Sequence, residues 1–300
     1  MLNLNKCNFC PRQCGIDRHI ASGFCKAGEN VKIARAALHF WEEPIISGTR
    51  GSGTVFFSHC NLNCIYCQNY KISHGGFGKE ISVCRLSEIF SELENMGAHN
   101  INLVTPTPYI LQIKSALSLK KPKIPIVYNC GGYEKRESIK ELRNYIDIYL
   151  TDYKYYTKES AEKYSSAADY PTVAALALEE MIKNTGKPKI ENNLMKSGVI
   201  LRHLVLPSHR KESLALLKFL KENFGTDSFV LSLMSQYFPT PKTVSAPEIN
   251  RRITSFEYES VLEYALDLGF SNAFIQERSS SDACFVPDFD LCGVDEIPKP

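Results

Sequence analysis

From residue 53 onward the chain alternates short apolar runs of β type with amphipathic stretches of helical period. The apolar runs are GTVFFS (53–58), NINLVT (100–105), IPIVYN (124–129), IDIYLT (146–151), VILRHLVL (199–206) and FVLSLM (229–234). Between them lie helical patterns near 86–96, 109–119, 135–144, 173–184 and 211–223. A last one, near 254–268, precedes the short apolar run NAFIQ. Such alternation predicts repeated βα units around a parallel sheet. Six units fall short of the eight of a closed barrel. The predicted architecture is therefore an α/β, partial (β/α)6 barrel, with an open doubly wound sheet as the alternative.

The pattern divides the chain into three parts. Residues 1–50 form a Cys-rich amino-terminal extension with little periodicity apart from VKIARAALHFWEEPIIS, which reads as a strand or hairpin leading into the barrel. Residues 51–278 form the core. Residues 279–300 have too little periodicity for a domain and are expected to pack on the outside of the core. Within HFWEEP, Glu42 and Glu43 suggest acid/base work, but adjacent residues of an extended chain point apart, so a solvated turn is the expected reading.

The formal net charge is +2, with no long run of like charge and no basic stripe interleaved with aromatics, which argues against nucleic acid and anionic membrane as partners. No apolar stretch is long enough to span a bilayer, and MLNLNKCNFC lacks the apolar region of a secretion signal, so a cytoplasmic location is expected. Cysteine changes this ordinary picture. There are 11, seven of them before residue 68, and in a reducing compartment such clustering reads as metal ligation. Cys84, Cys130, Cys284 and Cys292 are scattered singly and are expected to be small buried hydrophobes.

Several candidate strands end in polar or special residues: HCNLNC, TPTPY, NCGGY, TDYK and SQY. The mouth at the carboxyl ends of parallel strands brings such segments together, so chemistry is expected there. Cys60, Cys64 and Cys67 follow the first strand as C-x3-C-x2-C. A cubane iron–sulfur cluster held by three thiolates keeps one iron open for another ligand. The alternatives are a zinc knuckle completed by His59 or His74, or three unrelated buried thiols.

C-x3-C-x2-C with Tyr66 before the last cysteine resembles the signature of the radical S-adenosylmethionine enzymes, and Gln68 and Asn69 resemble their activating-enzyme branch. The likeness extends to a subgroup similar to pyruvate formate-lyase activating enzyme through CNFCPRQCGIDR, GFCKAG, HFWEEPIISG, GSGTVFFSHCNLNCIYCQNYKIS, HNINLVTPTPY, DIYLTDYKY, LRHLVLP and LMSQY. It implies a TIM-like barrel of the radical SAM type and a 4Fe-4S cluster on Cys60, Cys64 and Cys67. S-adenosylmethionine would chelate the open iron and be cleaved reductively to a 5′-deoxyadenosyl radical that abstracts a hydrogen atom. The protein's part would be to orient the pair and exclude water.

The resemblance also implies cofactor contacts. Tyr66 would lie against adenine and Asn69 beside the cofactor. Asp152 and Lys154, a D-x-K pair on one face, would meet the methionyl amine and carboxylate. Where activating enzymes carry a G-G-E stretch, this chain has Thr105, Pro106 and Thr107; Thr105 is the expected substitute contact. Asn129 is expected at the same mouth, or as turn chemistry. Arg202 is expected inward, holding a substrate carboxylate or the cofactor, with His203 outward. Gln236 falls near the ribose.

Cys7, Cys10, Cys14 and Cys25 form C-x2-C-x3-C-x10-C, which suits a structural zinc or an auxiliary 4Fe-4S cluster, with zinc slightly preferred. The expected function is a radical SAM oxidoreductase similar to the enzymes that activate glycyl radical enzymes. It would use a reducing donor such as flavodoxin or ferredoxin and take a glycyl radical enzyme as partner. The alternatives are a radical enzyme acting on a small molecule or peptide, and a non-enzymatic zinc-binding scaffold.

Overall fold

The computed structural model describes residues 2–270, 274–275 and 287–295. In chain order the elements that position the site are β1 (Val31–His39), α1 (Pro44–Ser47), β2 (Ser52–Phe57), α2 (Tyr70–Ser73), β3 (Lys79–Ile81), α3 (Val83–Asn95), β4 (Ile101–Val104), α4 (Ile110–Leu119), β5 (Ile126–Cys130), α5 (Arg136–Glu141), β6 (Ile148–Asp152), α6 (Lys158–Ser165), α7 (Tyr170–Thr185), β7 (Lys189–Glu191), β8 (Leu194–Leu204), α8 (Arg210–Phe224), β9 (Val230–Met234), α9 (Ser255–Asp267) and β10 (Phe274–Ile275). The six strands expected from the pattern correspond to β2, β4, β5, β6, β8 and β9. The run NAFIQ supplies β10. Short α6 and the β7 hairpin were not expected: α6 is largely polar, and β7 has three exposed residues.

Helix boundaries follow local chemistry. Ser82 caps α3 by accepting from the Arg85 amide at 3.1 Å, Thr157 caps α6, and Thr254 with Glu257 forms a capping box at α9. Gly186 and Gly225 follow the last turns of α7 and α8.

The sheet runs β10-β9-β8-β6-β5-β4-β2-β1-β3. Along this path from β2 to β10 every pairing is parallel, while β1 joins β2 and β3 antiparallel and β7, off the path, joins β8 antiparallel. The parallel strands lie in chain order without reversal. Right-handed crossovers then place their helices on one face, which is barrel winding, whereas a doubly wound sheet reverses its order. The sheet is not closed: its path ends at β3 and β10.

Strand alternation separates two apolar layers. Val55, Phe57, Leu103, Tyr128, Tyr149, Val199, Leu201 and Leu231 point outward into the large core under the helices. Val127, Ile148, Leu150, Ile200 and Val230 point inward and pack with Met195 and with Ile45 and Ile46 of α1, which plug the barrel. Phe56, Val104, Asn129, Asp152, Arg202 and Met234, all from different strands, line a single cavity of about 250 Å3. The sheet is therefore curled around it.

Residues 287–295 run along β1: the Leu291 amide donates to the Ala34 carbonyl, and the Ala36 amide to that of Cys292. Phe289 packs against Phe56, Ile72 and Val104, and Pro287 reaches the cavity wall. Of the single cysteines, Cys130 is buried as expected, but Cys84 and Cys292 are exposed; Cys284 lies outside the described residues. Cys84 falls in the first turn of α3, on the face turned from the sheet, and Cys292 in the tail. No helix among the described residues is long and apolar enough to cross a membrane.

Candidate active site

The three-cysteine loop leaves β2 through His59, whose φ of 74° turns the chain, and ends at α2. Each sulfur faces a donor. The Leu62 amide points at Cys60 Sγ at 3.4 Å, the Ser165 hydroxyl donates to Cys64 Sγ at 2.9 Å, and Cys67 Sγ lies 3.2 Å from Ser73 Oγ. Behind them a hydroxyl chain runs from Tyr66 to Tyr155 at 2.6 Å and on to Ser165 at 2.6 Å. Burial pushes all three thiols up, Cys64 to about 11, with Lys154 pulling the other way. Buried sulfurs with donors in place become thiolates when positive charge arrives with a bound metal group.

His74 is not placed to complete a single zinc site with these thiols. His74 is engaged through both ring nitrogens, Nδ1 with Ser73 Oγ at 2.9 Å and Nε2 with the Leu62 carbonyl at 3.1 Å. No three His, Cys, Asp or Glu side chains among the described residues are grouped so as to hold one metal ion. A cubane, with a separate iron for each thiolate, does not need that convergence. The residues therefore fit a cluster better than a mononuclear site.

The strand ends supply the rest of the wall. Cys64, Tyr66, Cys67, Gln68, Asn69, Asn129, Asp152, Lys154, Arg202 and Gln236 all line the cavity, whereas Cys60 lines a neighbouring one. Lys154 Nζ reaches Asp152 Oδ2 at 2.5 Å, and Arg202 Nε donates to Asp152 Oδ1 at 2.8 Å. Burial alone would raise the Asp152 carboxyl, but Arg202 and Lys154 outweigh it and hold it below its usual range. Arg202 Nη2 donates to Asn129 Oδ1 at 2.7 Å. His203 points outward, with Nδ1 on the Tyr153 carbonyl and Nε2 on Ser213 of α8, both at 2.8 Å.

Thr105 is not brought to this wall. Its φ of 59° turns it at the end of β4, its amide donates to the Asn129 carbonyl, and Thr107 beyond it donates to buried Glu134 at 2.6 Å. The prolines on either side of Thr107 set this path.

Glu42 and Glu43 are the main correction. They do not form a solvated turn: both lie inside the barrel, immediately before Pro44 at the start of α1. Glu42 Oε1 accepts from Asn102 Nδ2 at 2.8 Å, and its Oε2 lies 3.6 Å from Arg202 Nη1. Burial pushes both carboxyls up, and Arg202 opposes the shift. His39 and Trp41 join the same wall. The available signal was Pro44 at a helix start followed by Ile45 and Ile46, an apolar pair that must be buried and so carries the preceding acids inward.

The amino-terminal segment packs beside this loop. Arg12 Nε donates to the Asn61 carbonyl at 3.0 Å, and Asn61 Nδ2 to that of Tyr133 at 2.6 Å. Cys7 and Cys10 are buried, and Cys14 and Cys25 half-buried. Burial pushes Cys10 up to about 12, helped by the neighbouring Cys25 and Cys7. These four thiols share a neighbourhood, each of Cys10 and Cys25 feeling the charge of others in the set. Cys25 and Cys60 line a common cavity of about 280 Å3 with Lys26, His74 and Lys242.

The partial barrel thus carries three cysteines after its first parallel strand, Cys64 and Cys67 of them at the polar mouth. The model of the radical SAM superfamily matches residues 54–195, just under half of the chain, which supports membership of that superfamily. An uncharacterized protein of Methanocaldococcus jannaschii is 33% identical over 277 residues, covering 87% of this chain and 76% of that protein. Crystal structures of Streptococcus suis SuiB, bound to precursor peptide SuiA and to S-adenosylmethionine, superpose with a TM-score of 0.51 each. Identity is 12% and 13%, over 73% of this chain and 46% and 48% of SuiB, so the chain spans just under half of SuiB and the likeness is one of fold. Superfamily members are enzymes, and membership implies a 4Fe-4S cluster and S-adenosylmethionine.

Proposed function

We propose that this chain is a radical S-adenosylmethionine enzyme of the activating-enzyme-like type, with Cys60, Cys64 and Cys67 as cluster ligands. The observation that carries the reading is the convergence of Cys64 and Cys67 with Asp152, Lys154, Tyr66, Asn69 and Gln236 on one cavity. Bound there, the cluster and S-adenosylmethionine supply reductive formation of a 5′-deoxyadenosyl radical for hydrogen-atom abstraction. The chain's own residues have separable tasks. Lys154 offers its ammonium to a carboxylate, and Asp152, held ionised, accepts from an amine. Tyr66, its hydroxyl tied to Tyr155, presents a ring in fixed orientation. Phe56, Val104, Leu204 and Met234 give apolar wall that excludes water.

The substrate is either a glycine of a partner enzyme or a small molecule or peptide. The second is favoured by Pro287 and Trp41, which bring both extensions to the cavity wall and narrow it. The test is anaerobic reconstitution, metal analysis and assay of 5′-deoxyadenosine with dithionite. Wild type should form the product and Cys64→Ala should not, while losing the iron of one cluster. Product formation by Cys64→Ala would sink the assignment. The same metal analysis counts iron and zinc at Cys7, Cys10, Cys14 and Cys25, for which zinc or a second cluster is the proposed occupant.

A further inference from the structure

The cavity wall holds more negative than positive side chains: Asp152, Glu42 and Glu43 against Lys154 and Arg202. Both cations are already engaged. Lys154 is on Asp152, and Arg202 spends Nε on Asp152, Nη2 on Asn129 and Nη1 on the side facing Glu42. The fork of Arg202 formed by Nε and Nη2 is thereby occupied by Asp152 and Asn129.

Glu43 is placed differently from the other acids. It is 5% exposed and lines the cavity, and its Oε2 makes no hydrogen bond among the described residues; the neighbouring Ser232 hydroxyl, likewise without a partner, and the Arg202 charge act on this carboxyl without satisfying it. A buried acceptor left without a donor is destabilising, so its place in a cavity wall fits a ligand that donates. Glu42, adjacent in the chain, takes the Asn102 and Asn129 amides on Oε1 and has the edge of Arg202 near Oε2. Nearby Phe56, Val104, Leu204 and Met234 offer contact to a hydrocarbon portion.

We propose that Glu43, supported by Glu42, receives a cationic nitrogen of the substrate, an alkylammonium or alkylguanidinium group. The proposal rests on reading this cavity as the substrate chamber. S-adenosylmethionine carries an ammonium of its own, so the test must separate the two sources.

The full-length, cluster-reconstituted protein is titrated by calorimetry with n-butylammonium and n-butylguanidinium, and with the similarly sized n-pentanol and pentanoate. The cations should bind about ten-fold or more tightly than the alcohol, as a charge-assisted hydrogen bond implies, and pentanoate should not bind. Glu43→Gln should erase that preference. Equal binding of alcohol and cation, or a preference that survives Glu43→Gln, overturns the proposal. The wild-type comparison decides it even if the variant folds poorly.

S-adenosylmethionine is then titrated with and without saturating n-butylammonium. Independent binding supports the substrate assignment, whereas mutual exclusion with weaker S-adenosylmethionine binding in Glu43→Gln assigns the carboxylate to the cofactor and overturns it. None of these titrations needs reduction or turnover, so a failure to form 5′-deoxyadenosine would leave their result standing.

Discussion

Replacing Arg202 by Met tests whether the mouth of the barrel is held by a buried charge network or decorated by exposed pairs. The side chains of Arg202, Asp152 and Glu42 are 17%, 13% and 10% exposed, so solvent screens them little. Removing one partner of a buried pair costs about 3–5 kcal/mol, because the other charge stays buried and uncompensated. Here Lys154 remains on Asp152, and Glu42, whose carboxyl is already pushed up by burial, can take a proton. Both facts place the loss near the lower end, about 3 kcal/mol. With an m value of about 3 kcal/mol/M in urea, the unfolding midpoint should fall by about 1 M, measured by circular dichroism at pH 7.5. Adding Glu42→Gln removes the stranded acid, so the double variant should recover about 1 kcal/mol or more of coupling. A loss under about 1 kcal/mol would put Arg202 in the range of exposed ion pairs, and zero coupling to Glu42 would refute the network.

Two further outcomes follow from the outer side of the sheet. Glu134, 1% exposed and accepting from Thr107 and Tyr128, is raised by burial from 4.5 to about 7. The folded chain thus keeps a proton that the unfolded chain releases. The resulting stability is full below about pH 4.5 and is lost as pH rises through about 7, a difference of about 3 kcal/mol that Glu134→Gln should abolish in urea titrations at pH 5 and 8. Gly132, at φ 80°, leaves only 2.1 Å between an added Cβ and the Asp152 carbonyl oxygen. Gly132→Ala should cost more than about 2 kcal/mol by the same assay, and a neutral effect would show that the loop can shift away from Asp152.

The six parallel strands and most helices were legible because each carries a local signal, an apolar run of strand length or an amphipathic period. The helix α6 and the hairpin at β7 lack such a signal, being polar or exposed, and are shaped by what they pack against. Cys60, Cys64 and Cys67 were legible for the same local reason: spacing within one loop. Asp152, Lys154 and Arg202 came from the family resemblance, with strand ends and alternation setting which face they share. The place of Thr105 was not legible, since its backbone turn depends on prolines and on the register with Asn129.

Glu42 and Glu43 mark the boundary between the two kinds of information. Spacing along the chain determined the βα order, the inward and outward faces of each strand, and the three-thiol loop at the mouth, because those properties act within a few residues. Tertiary structure alone decided that the segment before α1 folds back into the barrel. Burying Ile45 and Ile46 against Val127, Ile148, Leu150, Ile200 and Val230 carries the two acids in with them. The stabilisation comes from apolar surface on strands 81 to 185 residues away in the chain; the apolar pair Ile45 and Ile46 signals burial, but no local pattern of residues 39–48 says against what.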